Sequence, residues 1–256
     1  MSGSVEALEV ALTTVSKTYA NNRPVLQNID LFVRKGEFVT LLGPSGCGKS
    51  TILKLIAGLT LPTTGEVSVD GMTPKNARET ISFIFQDATL LPWRTVRQNT
   101  GLGLELEGAA RAGRREKSMA LLELVGLAQV ADAYPRELSG GMKMRVSIAR
   151  ALATNPRLLL MDEPFAALDE ISRDHLNEEL LRFRAEQDWT AVFVTHSVAE
   201  AVFLSTRIVV LAPDPGRIRA VVPVGLPARR SSVLRATPEF ETLVAQVSRA
   251  LQETGA

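Results

Sequence analysis

Apolar and polar positions alternate through Leu8, Val10 and Leu12 and again through Ile29, Leu31 and Val33, the period of two that gives a strand one buried face. Residues 7–36 are therefore read as short strands. From Glu37 to Leu42 the alternation stops and a nearly continuous apolar run predicts a strand buried on both faces. Ile52, Leu53, Leu55 and Ile56 then fall on a helical period, predicting a helix over Ser50–Gly58. Thr64-Gly65 and Asp70-Gly71 read as turns around a strand at Glu66–Val69. From about Pro92 to Pro135 the strand signal fades, and Leu121, Leu122, Leu124 and Val125 keep a helical spacing beside the basic Arg111–Lys117. Strands return at Leu158–Asp162, Ala191–Thr195 and Arg207–Leu211, with helical stretches between them. Such alternation predicts a mostly parallel sheet with helices on both faces. Pro213-Asp214-Pro215-Gly216 is a turn, and Pro238–Leu251 a final helix.

With 256 residues, the chain is long enough for a large core with a subdomain. Apolar residues make up 45% and charged residues 22%, the balance of a globular protein. A net charge of +1 offers no basic field for nucleic acid, so no nucleic-acid partner is expected. Cys47 is the single cysteine, which excludes an intrachain disulfide. Met1–Glu6 shows no basic stretch followed by an apolar core, so no secretory signal is read there. No apolar run approaches the roughly 18 residues of a spanning helix. A cytoplasmic protein is expected, acting at any membrane through another chain.

Three motifs carry the chemistry. Gly43-Pro44-Ser45-Gly46-Cys47-Gly48-Lys49-Ser50 follows a strand and opens a helix. Its small residues let backbone N–H groups converge on phosphate oxygens, and the helix adds its positive end. Lys49 is placed to reach the β- and γ-phosphates, and Ser50 to ligate Mg²⁺. A plain glycine turn is the competing reading, and the complete eight-residue pattern argues against it. Leu158–Asp162 ends on a carboxylate suited to Mg²⁺, and Glu163 stands next as a candidate general base for an attacking water. Leu138-Ser139-Gly140-Gly141-Met142 opens a helix reaching Leu152, with Ser139 as its cap and two glycines baring amides at the positive end. On this pentapeptide alone, a well-capped helix is the plainer reading. Cys47 suggests redox chemistry, but a small residue is simply wanted there; bulky alkylation at Cys47 is expected to block nucleotide binding. His175 lies in a polar helical stretch and is read as non-catalytic.

The three motifs in this order resemble the ATP-binding-cassette (ABC) ATPases. That resemblance implies an α/β fold: a P-loop (RecA-like) parallel-sheet core with an N-terminal antiparallel β subdomain and an inserted helical subdomain. The cassette would span residues 1–220, its helical insert about 90–140, with 221–256 a helical tail. ATP would be held by Gly43–Gly48, Lys49, Ser50 and Thr51, and Mg²⁺ by Ser50, Gln86 and Asp162. Glu163 would be the base, His196 the switch histidine and Gln86 the loop glutamine that senses the γ-phosphate. Tyr19 would stack on adenine, and Asp169 would cross a dimer interface. Ser139, Gly140 and Gly141 would cover the γ-phosphate bound by a second copy, although Met142 stands where the family usually has Gln. A homodimer or cassette heterodimer, closed by ATP, follows from the same resemblance.

Phe85–Trp93, Asp162–Asp169 and Pro215–Ile218 are further similar to the nitrate, sulfonate and taurine group of bacterial importers. The partners this implies are an integral membrane permease and, indirectly, a periplasmic solute-binding protein. The chain would sit peripherally on the cytoplasmic side of the inner membrane. Trp93 would line the groove that receives the permease, or else be an ordinary buried aromatic. An ABC ATPase acting in assembly, on ribosomes or on nucleic acid is the alternative. The interval from Lys49 to Ser139 carries no sustained heptads for such a role, and there is one cassette. A kinase or GTPase would leave Leu138–Met142 unexplained.

Overall fold

The computed structural model describes residues 8–20, 22–186 and 189–253. The secretory-signal reading at Met1–Glu6 lies outside them. Strand β1 (Leu8–Thr18) pairs antiparallel with β2 (Pro24–Arg34), Leu12 opposite Leu31. In β2 the alternation places Leu26, Ile29, Leu31 and Val33 inward. Strand β3 (Phe38–Leu42) is buried along its whole length and runs into helix α1 (Lys49–Ile56). Strand β4 (Thr64–Val69) returns to β1, completing a three-stranded sheet in the order β2-β1-β4. The single turn α2 (Pro74–Ala77) leads to β5 (Ile81–Ile84).

A helical segment follows. It comprises α3 (Val96–Thr100), α4 (Leu102–Leu106), α5 (Arg111–Leu124) and α6 (Gly140–Leu152). A reciprocal capping box starts α3: Gln98 N–H donates to the Thr95 hydroxyl, and Thr95 N–H to the Gln98 side chain. Helix α6 packs against α3 and α5 through Met144 and Ile148, which share a core with Val96, Leu121 and Leu122.

Strand β6 (Leu158–Asp162), α7 (Glu170–Glu186), β7 (Thr190–Thr195), α8 (Val198–Leu204), β8 (Arg207–Ala212), β9 (Arg217–Pro223) and α9 (Pro238–Gln252) complete the chain. The second sheet has the order β5-β6-β7-β3-β8-β9, parallel except for the antiparallel β9. Strand β9 straddles residue 220, and α9 lies against α8, β8 and β9.

Because neighbouring residues of a strand point to opposite faces, this sheet separates two cores. Val39 and Leu41, Leu158 and Leu160, Val192 and Val194, and Val209 and Leu211 join α1 and the antiparallel sheet. Their neighbours Phe38 and Leu42, Leu159 and Met161, Ala191 and Phe193, and Ile208 and Val210 join the helices of the other face. Ile52 and Ile56 of α1 are fully buried, each worth about 1.5–3 kcal/mol. Across the sheet, the Phe38 ring lies 5.9 Å from Phe193 and 6.3 Å from Trp189.

Candidate nucleotide site

Strand register gathers the candidate residues at one end of the sheet. Leu42 of β3 is level with Thr195 of β7, Asp162 of β6 with Val194, and Ile84 of β5 with Met161. The segments leaving these parallel strands carry Gly43–Gly48, His196, Glu163 and Gln86. Ligands of open α/β sheets bind at such carboxyl ends.

The phosphate loop bends where only glycine is comfortable: Gly46 has φ +82° and Gly48 φ +93°. A Cβ on Gly48 would also stand 2.4 Å from a Leu26 methyl group. Lys49 Nζ donates to the carbonyls of Gly43 and Pro44, each at 2.8 Å. Its charge therefore lies inside the loop, with Ser45 and Gly46 exposed at the rim. No acidic side chain occupies the first turn of α1, so the positive helix end is left for an anion. Thr51, one residue deeper in α1, is buried. The Cys47 side chain turns inward and is fully buried, and burial pushes its thiol up. Alkylation at this position thus requires the loop to open first, a barrier that the sequence did not reveal.

Ser50 Oγ donates to Asp162 Oδ1 at 2.9 Å. Asp162 is buried, and burial raises its carboxyl above the usual range; the Ser50 hydrogen bond works against that shift, and neighbouring Glu163 adds to it. A hydroxyl and a poorly solvated carboxylate side by side suit Mg²⁺, which takes one or two protein oxygens and completes its shell with phosphate and water. The described residues contain no cluster of three or more His, Cys, Asp or Glu side chains that could hold a metal unaided. Glu163 adopts φ +48° while its N–H donates to the Val194 carbonyl at 3.0 Å. This uncommon conformation for a non-glycine residue sets Glu163 Oε2 3.5 Å from His196 Nδ1. The His196 side chain is 68% exposed and the Glu163 side chain 23%, so the pair borders solvent where a water can approach.

The remaining candidates lie on segments other than the phosphate loop and the turns of Asp162–Glu163 and His196. Gln86 is exposed just after β5. Tyr19 follows β1 with 41% exposure, the Lys17 ammonium 4.9 Å from its ring centre. Asp169 is exposed and caps α7, Oδ1 accepting from Ser172 N–H at 2.9 Å; that contact holds its carboxyl below the usual range. Ser139 caps α6 by accepting from Met142 N–H at 3.3 Å, and Ser139 and Gly140 are exposed. Gly141 lies against Ala167 and Leu168. Among the described residues, no hydrogen bond or ion pair joins Ser139–Gly141 to Gly43–Thr51.

Sequence reasoning missed three supports. Arg150 of α6 donates to the carbonyls of Ala88 and Thr89 at 3.0 and 2.9 Å, tying the segment after Gln86 to the helix that begins at Gly140. Gly216 packs directly behind Cys47. Asn99, fully buried, accepts from Leu91 N–H at 2.8 Å and donates to the carbonyls of Leu91, Arg94 and Thr95. It thereby shapes the turn bearing Trp93, which is 69% exposed and not the buried aromatic of the plainer reading.

A strand-to-helix phosphate loop, with a carboxylate from the end of β6, one strand removed from β3, bonded to its serine, defines a P-loop nucleoside-triphosphatase. The ABC transporter family profile matches residues 26–166. The aliphatic sulfonates import ATP-binding protein of Bacillus licheniformis is 45% identical over 230 residues, covering 90% of this chain and 88% of that one. The nitrate import ATP-binding protein of Synechocystis sp. is 40% identical over 242 residues, 91% of each chain. A dimeric ATP-binding cassette in a post-hydrolysis state, bound to ADP and Pi, superposes with a TM-score of 0.79 at 35% identity, covering 85% of this chain and all of that one. The chain belongs to the ABC transporter family, as one of its ATP-binding, ATP-hydrolysing subunits. No described helix is long and apolar enough to cross a membrane.

Proposed function

We propose that this ATPase powers an importer for a small solute, of the kind that its nitrate and sulfonate relatives are named for. It would sit peripherally on the cytoplasmic face of a bacterial inner membrane, against a permease supplied by a periplasmic solute-binding protein. Residues 1–220 would form the cassette and 221–256 its tail. The observation that carries the reading is that Ser139 and Gly140 are exposed, as are Ser45 and Gly46 of the phosphate loop, while among the described residues no hydrogen bond or ion pair joins the two segments. Two copies facing head to tail would complete both sites, with Asp169 at the seam.

In such a site Gly43–Thr51 hold the triphosphate and Tyr19 offers a face to adenine. Lys49 leaves the Gly43 and Pro44 carbonyls for the phosphates. Ser50, Asp162 and Gln86 would hold Mg²⁺, which when bound neutralises charge on the β- and γ-phosphates. Glu163 accepts a hydrogen bond from the attacking water and takes its proton, and His196 steadies Glu163 and the γ-phosphate side. Exposed Trp93 suits a permease contact.

Glu163→Gln tests the sandwich. With hydrolysis blocked, the variant elutes as a dimer in saturating MgATP and as a monomer without nucleotide, by size exclusion with light scattering. A variant monomeric in both conditions refutes the two-copy site. The importer reading is tested by recovering the same variant from mildly solubilised host membranes. A stoichiometric multi-spanning permease supports it, and only ribosomes, DNA or soluble partners would overturn it.

A further inference from the structure

One buried carboxylate has no place in the chemistry above. Glu200 of α8 is 5% exposed. Its Oε1 lies 3.2 Å from Arg173 Nε on α7, and its Oε2 accepts from the Thr195 hydroxyl at 2.5 Å. The Thr195 hydroxyl in turn accepts from Ser197 N–H at 3.0 Å, and Ser197 Oγ from Glu200 N–H at 3.3 Å. His196 lies between these two tethered residues, so Glu200 governs the loop on both sides of it.

The other end of the chain of contacts is Arg173. Its Nη2 donates to the Leu168 carbonyl at 2.9 Å, and its backbone N–H to the Asp169 carbonyl at 2.9 Å. Leu168 is also the residue whose side chain Gly141 touches. A single guanidinium therefore grips the segment leading to Asp169 and the carboxylate that shapes the His196 loop. The Arg173 side chain is 31% exposed and that of Glu200 7%; the two form an ion pair in which Arg173 Nε does not aim its N–H at the carboxylate, and breaking such a partly buried pair is costly.

We propose that Arg173 is a positioning residue for hydrolysis: through Glu200 and Thr195 it transmits the placement of the Ala167–Asp169 segment to His196. Resting on the sandwich reading, this gives that reading a route by which docking of a second copy at Asp169 is felt at His196 within the same chain. Arg173 is not among the residues proposed to hold nucleotide or the attacking water, so its effect is exerted through Glu200 and Thr195. Closure at the seam shifts the Leu168 carbonyl, the guanidinium follows, and the His196 imidazole, 3.5 Å from Glu163 in the single chain, is moved relative to that carboxylate.

The chain has two histidines, so His175→Gln leaves His196 as the sole imidazole for NMR, and all variants are made in that background. Arg173→Met keeps the aliphatic stem and removes the guanidinium. The expected result is a displaced His196 imidazole resonance, kcat lowered about tenfold or more, and Kd for ATP within about twofold of the parent. Arg173→Lys recovers part of the rate. Glu200→Gln lowers kcat similarly, and the double variant is no slower than Arg173→Met, as expected for one shared path. An unmoved His196 resonance, or kcat within about twofold of the parent, overturns the proposal. If Arg173→Met does not fold by circular dichroism, Arg173→Lys and Glu200→Gln give the same two readouts. His196→Ala separates the failures. Full hydrolysis by that variant defeats the reading of His196 itself, whereas an inactive His196→Ala beside a normal Arg173→Met defeats only the relay.

Discussion

Gly216 lies outside the three nucleotide motifs, yet replacing it with alanine should strain the phosphate loop from behind. A Cβ there would stand 2.1 Å from the Cys47 carbonyl oxygen, 2.9 Å from that of Val25 and 3.0 Å from a Leu26 methyl group. Carbon–oxygen contacts settle near 3.3 Å or beyond, so something must retreat by about 1 Å. The glycine is itself pinned, its N–H donating to Val25 at 2.9 Å and its carbonyl accepting from Gln27 at 3.0 Å. The phosphate loop is therefore the part that yields. Overpacking of this kind costs about 2 kcal/mol, which in a chain of this size lowers Tm by about 4–8 °C if the strain stays in the free protein. If the free loop relaxes and ATP must restore it, the same energy appears as a roughly thirtyfold weaker Kd. Thermal unfolding and titration with a fluorescent ATP analogue read the two shares. Gly225→Ala, whose Cβ would meet nothing within 4 Å, serves as the control and leaves both unchanged. A Gly216→Ala protein with the parental Tm and Kd would refute this account of what braces the loop.

Asp162→Asn should raise Tm at neutral pH while abolishing hydrolysis. Its folded-state carboxyl is shifted upward, chiefly by burial, so ionisation weakens the nucleotide-free fold above that raised value; the gain from Asn shrinks as pH falls through it and vanishes below the unfolded value. A Tm advantage that persists at acid pH would contradict the assignment. Asn99→Leu removes the side chain that fixes the Leu91–Thr95 turn, at a cost of about 1–3 kcal/mol. Soluble ATPase activity survives, and permease-stimulated activity falls as it does in Trp93→Ala; stimulation at the parental level would remove that turn from the coupling surface.

The elements read correctly from the sequence were those whose pattern belongs to a single physical cause. Strands β3, β6 and β7 are buried on both faces, and their sequences are apolar apart from Thr40, Asp162, Thr190 and Thr195. The phosphate loop was legible because backbone amides meeting phosphate tolerate few residue types. Strand β5 escaped notice because it is four residues long and mostly half-buried at the sheet edge. Strand β9 escaped because Arg217-Ile218-Arg219-Ala220 looks solvated, and of β9 only Val222 is buried. The polar supports Asn99, Arg150, Arg173 and Glu200 give no periodic signal. Their partners are carbonyls and carboxylates brought close by the fold, and no spacing along the chain announces them.

The strand order has a consequence for how the protein is made. Strand β3 emerges early, but Phe38 pairs with Ala191 and Val39 with Arg207, and the brace at Gly216 comes later still. A nascent chain that has just passed β7 already contains the phosphate loop, Glu163 and Ser139–Gly141 in full. Its central strand still lacks β8 as a neighbour, and its loop still lacks Gly216 behind it. Every residue needed to recognise ATP has then been synthesised before the site that binds it exists. Until the ribosome releases the last strands, β3 presents an unpaired apolar edge, the kind of surface that chaperones shield.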